Sequence, residues 1–383
     1  MMFRSILAKI LLTLLFLSWQ GQSALAQILL GSEAREAILM DADTHTILFE
    51  KNADALMPPA SMSKLMTIVM VMDRLADGSL KMEDTFPVSE AAWRMQGSKM
   101  FVELGAQIPV ADLLRGIIVQ SGNDACVVVA EGIGGDEQTF ARMMTERARQ
   151  IGLTHSVFRN SSGWPDPEHV MTARDLAILS DYIITRHKQY YSMFAEIDFT
   201  WHGIKQGNRN PLLYSFPGAD GLKTGHTEEA GYGLVGSAVR DGRRLIVVVT
   251  GMESDRKRGI EAARLLTLGF GEFDNYTLVK AGQKVEDADV WLGSVKKIPL
   301  VAAREVKLTL PRAARKELKA KLVYQAPLPA PLEKGAEAGV INFTAPGMAP
   351  VSVPVVTGDE VEKLSFLSKI PAAFNYLMWG PGG

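Results

Sequence analysis

A serine and a lysine three positions apart are the first side chains in this sequence that could do chemistry together. Ser61 and Lys64 lie in the stretch Pro58-Pro59-Ala60-Ser61-Met62-Ser63-Lys64, and on a helix this spacing puts both on one face. A serine hydroxyl becomes a strong nucleophile when a base takes its proton, and a charged lysine cannot be that base. Burial and a second nearby cation would both favour the neutral amine. Taken alone, the pattern also fits a helix-capping serine followed by a lysine that reaches solvent, which is the commoner case.

The element that must position this pair is a helix predicted to begin near Ala60 or Ser61 and to run to Leu75. Two prolines precede it, and Gly78 is the predicted stop. The segment is apolar nearly all the way round, which predicts burial in the middle of a domain. Lys64, near its start, would then be partly desolvated.

A second polar group interrupts two apolar segments. Residues 108–120 and 124–130 are mainly apolar, and Ser121-Gly122-Asn123 lies between them. A helix, a tight turn and another helix would place Ser121 and Asn123 at a loop between packed elements. Polar side chains there can project into a cleft.

A third group, Lys223-Thr224-Gly225-His226, comes shortly before a predicted hairpin. A lysine and a threonine on an edge strand, followed by a glycine that lets another chain lie close, would suit an extended peptide that ends in a carboxylate. Matches of three residues are frequent by chance, so this group has little weight alone.

The other predicted elements surround these groups. Asp241-Gly242 between two apolar runs is a strong hairpin signal, and the polar loop 160–169, rich in Gly and Pro, is of the kind that borders a site. We predict strands over 37–41, 46–50, 232–240 and 243–250, and helices over 136–151, 174–185 and 256–268.

Length and composition bound the class of protein. The chain has 383 residues, which predicts two or three domains, and its formal net charge is −2. No cluster of Lys and Arg resembles a nucleic-acid footprint, so nucleic-acid binding is excluded. The six histidines show no zinc-ligand spacing, and no glycine-rich phosphate loop occurs, so we expect no metal and no cofactor.

The start of the chain predicts export. Residues 1–26 combine early cations, a short apolar core and Ala24-Leu25-Ala26, which together are typical of a secretory signal peptide. Cys126 is the single cysteine of the sequence. It has no internal disulfide partner, and we expect it to be a small buried residue.

The remaining chain divides into three parts that differ in their pattern of apolar and polar residues. Residues 27–272 hold the polar groups, residues 273–357 predict a small β-rich domain with no ligand constellation, and residues 358–383 form an amphipathic tail. This tail could lie in a membrane interface. A terminal helix docked on the β-rich domain fits the tail's pattern equally well.

The order of the three polar groups is far more specific than any one of them. Ser-x-x-Lys, Ser-Gly-Asn and Lys-Thr-Gly follow one another at separations of tens of residues, a set related to that of penicillin-binding proteins and class A β-lactamases. The sequence resembles the low-molecular-mass penicillin-binding proteins, D-alanyl-D-alanine carboxypeptidases of the penicillin-binding protein 5/6 type in peptidase family S11. The resemblance covers nearly the whole mature chain, including the stretch Asn208-Arg209-Asn210.

This resemblance implies an α/β (α+β) penicillin-binding, β-lactamase-like transpeptidase fold, followed by a small all-β domain and a C-terminal amphipathic helix. It also implies a serine hydrolase that removes the terminal D-alanine from peptidoglycan pentapeptides, with a role in wall maturation and cell shape. In that scheme Ser61 is the acylated nucleophile and Lys64 its proton acceptor. Ser121 relays a proton to the leaving D-alanine, and Asn123 holds Lys64 and the substrate backbone.

The resemblance further assigns the substrate's terminal carboxylate to Lys223 and Thr224, with help from Arg209. Lys223 would also keep Lys64 neutral through its like charge, and Gly225 would let the substrate lie close. The oxyanion hole would use the backbone N–H groups of Ser61 and His226. The imidazole of His226 need not be a base.

The implied partners are a stem peptide ending in D-Ala-D-Ala, β-lactams as covalent inhibitors, and a membrane surface bound through the tail. The implied location is the periplasm, on the outer face of the inner membrane. A homodimer is compatible with the sequence, which does not decide the matter.

Four other functions compete with this one. A β-lactamase would need a loop glutamate, and Glu168 lacks the Glu-x-x-Leu-Asn context of that class. A D,D-endopeptidase would share the same machinery, and the shape of the cleft would distinguish it. A non-enzymatic wall scaffold would have to explain why all three groups are intact. A metallopeptidase would need zinc ligands, and the spacing of the six histidines does not provide them.

Overall fold

The computed structural model describes residues 31–346 and 350–365, and they form two units divided between Gly271 and Glu272. The predicted signal peptide, residues 1–26, lies outside the described residues.

A five-stranded antiparallel sheet forms the framework of the first unit, with the strand order β2-β1-β9-β8-β7. Two short hairpins, β3-β4 and β5-β6, lie apart from this sheet. The strands of the first unit are β1 (Glu36–Asp41), β2 (Ile47–Lys51), β3 (Thr85–Pro87), β4 (Gln107–Pro109), β5 (Asp198–Trp201), β6 (Ile204–Gly207), β7 (Ala219–Thr227), β8 (Gly231–Arg240) and β9 (Arg243–Met252).

Nine α-helices and two 3-10 turns, Ala60–Ser63 and Ser192–Ala195, complete the described part of this unit. The helices are α1 (Lys64–Asp77), α2 (Glu90–Arg94), α3 (Val110–Ile118), α4 (Asn123–Gly134), α5 (Glu137–Ile151), α6 (Ala173–Arg186), α7 (Lys188–Tyr191), α8 (Leu212–Ser215) and α9 (Asp255–Glu272).

The sheet is covered on both faces, as the alternation of its buried side chains requires. Ile38 and Ile246 belong to the large core shared with α1 and α3 to α6. Leu39 and Leu245 point to the opposite face, where they lie close to Gly269 of α9. Sequence reasoning from the residues alone predicted the strands, and the structure adds that helices cover both faces.

Helix α1 runs through the middle of this core. Ten of its residues are buried, Lys64 among them, and it ends at Gly78 in the left-handed conformation with φ of 79°. The predicted burial and the predicted stop are therefore confirmed. The predicted start near Ala60 is where the 3-10 turn begins, and regular α-helix follows from Lys64.

Most of the other predicted elements are confirmed to within a few residues at their ends. Helices α3 and α4 flank the break at Ser121 and Gly122, and α5, α6, α9, β8 and β9 occupy the predicted stretches. The sequence analysis missed the short hairpins β3-β4 and β5-β6. Strands of three or four residues are too short to produce a clear alternation.

The second unit is β-rich, as predicted. Its strands are β10 (Phe273–Val279), β11 (Lys284–Trp291), β12 (Lys297–Ala302), β13 (Val306–Pro311), β14 (Lys319–Tyr324), β15 (Leu328–Pro329), β16 (Glu337–Thr344) and β17 (Val351–Thr357). Six of them form one sheet, in the order β14-β16-β17-β12-β11-β15.

The first residues of the predicted tail are part of this unit. Val361 exchanges backbone hydrogen bonds with Leu332 at 2.9 and 2.7 Å, and the N–H of Leu364 donates to the carbonyl of Leu292 at 2.9 Å. The rest of the predicted amphipathic helix, residues 366–383, lies outside the described residues. Among the residues that the structure does describe, no helix is long and apolar enough to span a bilayer.

Candidate active site

Ser61 and Lys64 meet at the junction of the 3-10 turn and α1. Lys64 Nζ lies 2.8 Å from Ser61 Oγ, within hydrogen-bonding distance. Lys64 is fully buried, whereas Ser61 is partly exposed and so accessible to a substrate. The predicted pairing of these two side chains is confirmed.

The environment of Lys64 favours its neutral form. Burial lowers the pKa of Lys64 from 10.5 to about 8, because the ammonium is poorly solvated there. The positive charge of Arg209 lowers this pKa further, whereas Cys126 and Asp124 act in the opposite direction. Cys126 is itself buried, which raises the pKa of its thiol to about 12. Lys64 can therefore serve as a base near neutral pH.

Ser121 and Asn123 lie at the break between α3 and α4. Ser121 has φ of 59°, in the left-handed region, and its Oγ accepts a hydrogen bond from Lys223 Nζ at 2.9 Å. Asn123 donates from Nδ2 to the carbonyl of Gln96 at 2.8 Å. Within the described residues it makes no hydrogen bond to Lys64, whose second partner is the carbonyl of Ser162 at 2.5 Å.

Lys223 joins the strand β7 to the Ser121 loop. Its Nζ atom is buried and also donates to the carbonyl of the neighbouring Thr224 at 3.2 Å. Burial holds the pKa of Lys223 well below its usual value of 10.5, and the charges of Lys64 and Arg209 add to this effect. A substrate carboxylate placed beside Lys223 would restore its charged form.

Strand β7 is an edge strand, as the sequence predicted, since it ends the five-strand order. Gly225 lies on it beside the turn that carries Ser61. A Cβ atom at Gly225 would lie 3.0 Å from the carbonyl oxygen of Pro59 and 3.2 Å from Cβ of Ala60, closer than ordinary contacts. The absence of a side chain at Gly225 thus allows the edge strand and the 3-10 turn that carries Ser61, hereafter the Ser61 turn, to come together.

His226 follows Gly225 and is exposed. Its ring stacks on that of Tyr232, with centroids 3.8 Å apart. Below the strand, the buried Arg258 of α9 donates to the carbonyls of Gly225 and Gly233 at 3.1 and 3.2 Å. These contacts fix the backbone of β7 next to Ser61.

Arg209 lies on the rim of the site. The residue is exposed, and its Nη1 donates to Ser98 Oγ at 2.6 Å. Its charge acts on both Lys64 and Lys223. All nine predicted site residues therefore belong to one region. It comprises the Ser61 turn, the break between α3 and α4 that holds Ser121, strand β7, and the segment around Arg209.

Sequence reasoning missed two parts of this region. One is the carbonyl of Ser162, because a backbone group leaves no mark in the sequence, although the predicted loop 160–169 contains it. The other is Asp124, whose buried carboxylate accepts backbone hydrogen bonds from Met100 at 2.8 Å and Phe101 at 2.8 Å. Glu168, the candidate β-lactamase glutamate, pairs instead with Arg159 at 3.0 Å and is largely exposed.

An open cleft of about 500 Å³ is lined in part by the loop 160–169. Its lining includes Gln96 and Trp164. A Cβ atom on Gly97 would lie 2.8 Å from Asn123 Nδ2 and 3.1 Å from Trp164 Cζ3. Gly97 is thus in close contact both with Asn123 and with the indole ring that lines the cleft.

Two family models match the chain. Residues 23–254 match the family described as D-alanyl-D-alanine carboxypeptidase, peptidase S11, and residues 273–363 match the C-terminal domain of penicillin-binding protein 5. The D-alanyl-D-alanine carboxypeptidase DacC of Escherichia coli is 38% identical over 346 residues, which are 88% of this chain and 86% of that protein.

Solved structures agree with these matches. The penicillin-binding protein 5 of Haemophilus influenzae is 36% identical, with a TM-score of 0.76 over 87% of this chain and 98% of its own. Penicillin-binding protein D2 of Listeria monocytogenes in its ampicillin-bound form is 30% identical, with a TM-score of 0.58 over 63% of this chain and 98% of its own.

Proposed function

The chain belongs to the D-alanyl-D-alanine carboxypeptidase family, peptidase S11, and is a penicillin-binding, serine-type carboxypeptidase acting on peptidoglycan; we propose that Ser61 is the residue it acylates and Lys64 the base. The observation that carries this assignment is the 2.8 Å separation of Ser61 Oγ from the buried Lys64 Nζ. A pKa of about 8 supports the role of Lys64, because a useful fraction of the amine is neutral near neutral pH.

Acylation then follows from these positions. Ser61 Oγ attacks the carbonyl carbon of the penultimate D-alanine and gives its proton to Lys64 Nζ. The carbonyl oxygen becomes an oxyanion, for which the backbone N–H groups of Ser61 and His226 are the proposed donors. When the oxyanion collapses, the C–N bond breaks, and the leaving D-alanine nitrogen takes the proton, relayed through Ser121.

Deacylation uses the same base. A water molecule gives a proton to Lys64 and its oxygen bonds to the acyl carbon, and the ester bond to Ser61 breaks as Oγ regains a proton. The water oxygen thus takes the place on the acyl carbon that the D-alanine nitrogen had held. The products are the shortened stem peptide and free enzyme.

The terminal carboxylate of the substrate is the proposed ligand of Lys223, Thr224 and Arg209. Supporting this, the two buried residues of β7 and the rim arginine bring a hydroxyl donor, a lysine amine that a carboxylate would charge, and a guanidinium to one region. The charge of Arg209 also disfavours protonation of Lys64. Asn123 is the proposed partner of the substrate backbone. A carbonyl of the substrate would accept a hydrogen bond from Asn123 Nδ2, either in place of the Gln96 carbonyl or together with it.

The proposed location is the periplasm, on the outer face of the inner membrane, with residues 366–383 as the part of the tail that binds the membrane. A secretory pattern in residues 1–26 and the apolar, aromatic composition of the tail support this placement. The proposed role of the enzyme is to trim stem peptides during wall maturation and so to influence cell shape.

Mass spectrometry of the purified protein tests this function. The sample is incubated with a labelled penicillin and, separately, with a peptide ending in D-Ala-D-Ala. We expect a penicilloyl adduct on Ser61 and release of one D-alanine. An adduct that disappears within seconds would instead favour a β-lactamase, cleavage of cross-linked peptides would favour an endopeptidase, and neither adduct nor release would favour a scaffold.

A further inference from the structure

The loop 160–164 contacts the Ser61 turn and helix α1 through three consecutive residues, Ser161, Ser162 and Gly163. The carbonyl of Ser161 accepts from Thr67 Oγ1 at 2.6 Å, and the carbonyl of Ser162 accepts from Lys64 Nζ at 2.5 Å. Gly163, with φ of 75°, lies so close that a Cβ there would be 1.9 Å from the carbonyl oxygen of Ala60. The backbone of this loop therefore forms one wall around the base.

One side chain closes this loop. Asn160 Oδ1 accepts backbone N–H bonds from Ser162 at 3.2 Å, Gly163 at 2.8 Å and Trp164 at 2.9 Å. Asn160 Nδ2 donates to the carbonyl of Trp164 at 2.9 Å. The same amide thus supplies an acceptor and a donor to a turn of four residues.

The position of the Ser162 carbonyl matters because a neutral lysine amine has two N–H groups and one lone pair. If one N–H donates to a fixed carbonyl, the remaining directions of the amine are restricted. The lone pair can then face the Ser61 hydroxyl at 2.8 Å. Once Lys64 has taken the serine proton, the same carbonyl accepts from the resulting ammonium.

We propose that Asn160 is a positioning residue for the reaction, which holds the Ser162 carbonyl against Lys64 and so orients the lone pair of the base toward Ser61. Asn160 touches neither substrate nor the reacting atoms. Its effect passes through the loop backbone to the amine. This inference rests on the proposed function, since it requires Lys64 to be the base.

Asn160→Ala and Asn160→Asp separate positioning from general folding. Alanine removes the acceptor for three N–H groups, whereas aspartate keeps an oxygen in the same place. We expect the acylation rate with labelled penicillin to fall by about 10- to 100-fold in the alanine variant, since a displacement of about 1 Å at a catalytic group costs that much. Aspartate keeps the Oδ1 acceptor, loses the Nδ2 donor to the Trp164 carbonyl, and adds a negative charge that favours the protonated form of Lys64. In the aspartate variant we therefore expect the rate to rise at higher pH than in wild type and to reach a plateau above that of the alanine variant. Glu168→Gln is the matched control. Glu168 lies at the exposed end of the longer loop 160–169, and its replacement should leave the acylation rate unchanged.

The pH profile of acylation provides a readout that loss of folded protein would not change. Removing an acceptor from the ammonium disfavours the protonated form, so the rise of the rate with pH should begin at lower pH in Asn160→Ala. The groups whose charges face Lys64 are left in place in all variants; they are Cys126, Asp124, Arg209, His169 and Lys223.

The outcomes distinguish this inference from the proposed function. A wild-type protein without an adduct on Ser61 would refute both. A wild-type adduct, combined with an unchanged rate in Asn160→Ala or with a rate lowered by one factor at every pH, would refute the positioning role alone. If Asn160→Ala does not fold, a folded Asn160→Asp variant that shows no acylation even at high pH, where Lys64 is neutral, would also refute it.

Discussion

Lys223 Nζ donates to Ser121 Oγ at 2.9 Å, which joins strand β7 to the loop between α3 and α4. Both residues are buried. The Ser121 hydroxyl is therefore held against the Lys223 amine in a place that bulk water does not reach.

This relationship predicts the effect of Ser121→Ala. The change removes the proposed proton relay and leaves Lys223 Nζ without that partner, so turnover of a D-Ala-D-Ala peptide should fall by about 10²- to 10⁴-fold. Steady-state release of D-alanine measures this. Ser215→Ala, at an exposed serine, is the control, and equal turnover in the two variants would contradict the relay.

Lys64→Arg should abolish acylation. Arginine keeps a cation at this position but is not deprotonated in proteins, so the base is lost. We expect the rate of penicilloyl adduct formation to drop by about 10²- to 10⁴-fold. Lys257→Arg makes the same exchange on an exposed side chain and should have no effect. Normal acylation in Lys64→Arg would mean that another group takes the serine proton.

The acylation rate should rise with pH up to about 8, the pKa of Lys64. Below that pH the amine is protonated, and the rate should fall about tenfold for each unit of pH. The buried His169 has a pKa lowered to about 4 and the Cys126 thiol one raised to about 12, so neither titrates in this window. A rate constant that is flat between pH 6 and 8 would be inconsistent with Lys64 as the base.

Gly163→Ala should damage both stability and acylation. The left-handed φ of Gly163 costs a non-glycine residue about 1–2 kcal/mol, and the added Cβ would also meet the Ala60 carbonyl at 1.9 Å. Gly135 has φ of 81° with no atom within 4 Å of an added Cβ. Gly135→Ala therefore carries the conformational cost alone. Chemical denaturation should show a clearly greater loss for Gly163→Ala, and equal losses would argue against a tight contact between loop and turn.

Two truncations should separate the tail's anchoring role from its contribution to the β-rich unit. Removing residues 366–383 should release the protein from membranes and leave stability and hydrolysis of a soluble peptide unchanged. Removing residues 358–383 also deletes Val361, which is buried and paired with Leu332, so the β-rich unit should become less stable. Membrane fractionation and thermal unfolding measure the two effects, and a shorter truncation that stays in the membrane fraction would exclude the tail as sole anchor.

The contact between Ser61 and Lys64 and the edge strand that holds Lys223 were predictable from the sequence because local patterns indicate them. Burial of Lys64 follows from an apolar helix, and the Asp241-Gly242 turn identifies the hairpin next to β7. Joining these separate segments into one site required the resemblance to a known family, since spacing alone does not bring Ser121 to Lys223.

The contacts of the loop 160–164 were not predictable in the same way. Ser162 acts through its carbonyl, which every residue has, and Asn160 acts on N–H groups two to four positions ahead. Asn123 was expected to hold Lys64, but its amide faces the carbonyl of Gln96. Which of several nearby acceptors an amide chooses depends on side-chain orientation within about an ångström, and residue type does not encode that.

The burial of Lys64 also sets a limit on the stability of the folded enzyme. The unfolded chain keeps the ordinary pKa of 10.5, while the folded chain has a pKa of about 8. Between these values the unfolded state binds the proton more readily, so the free energy of unfolding rises with pH across this window. At neutral pH, where the unfolded state and most molecules of the folded state are protonated, burial of the ammonium costs roughly 3 kcal/mol. An inactive Lys64→Met protein should therefore be more stable than the active one, which means that selection for catalysis holds this domain below the stability its core could reach.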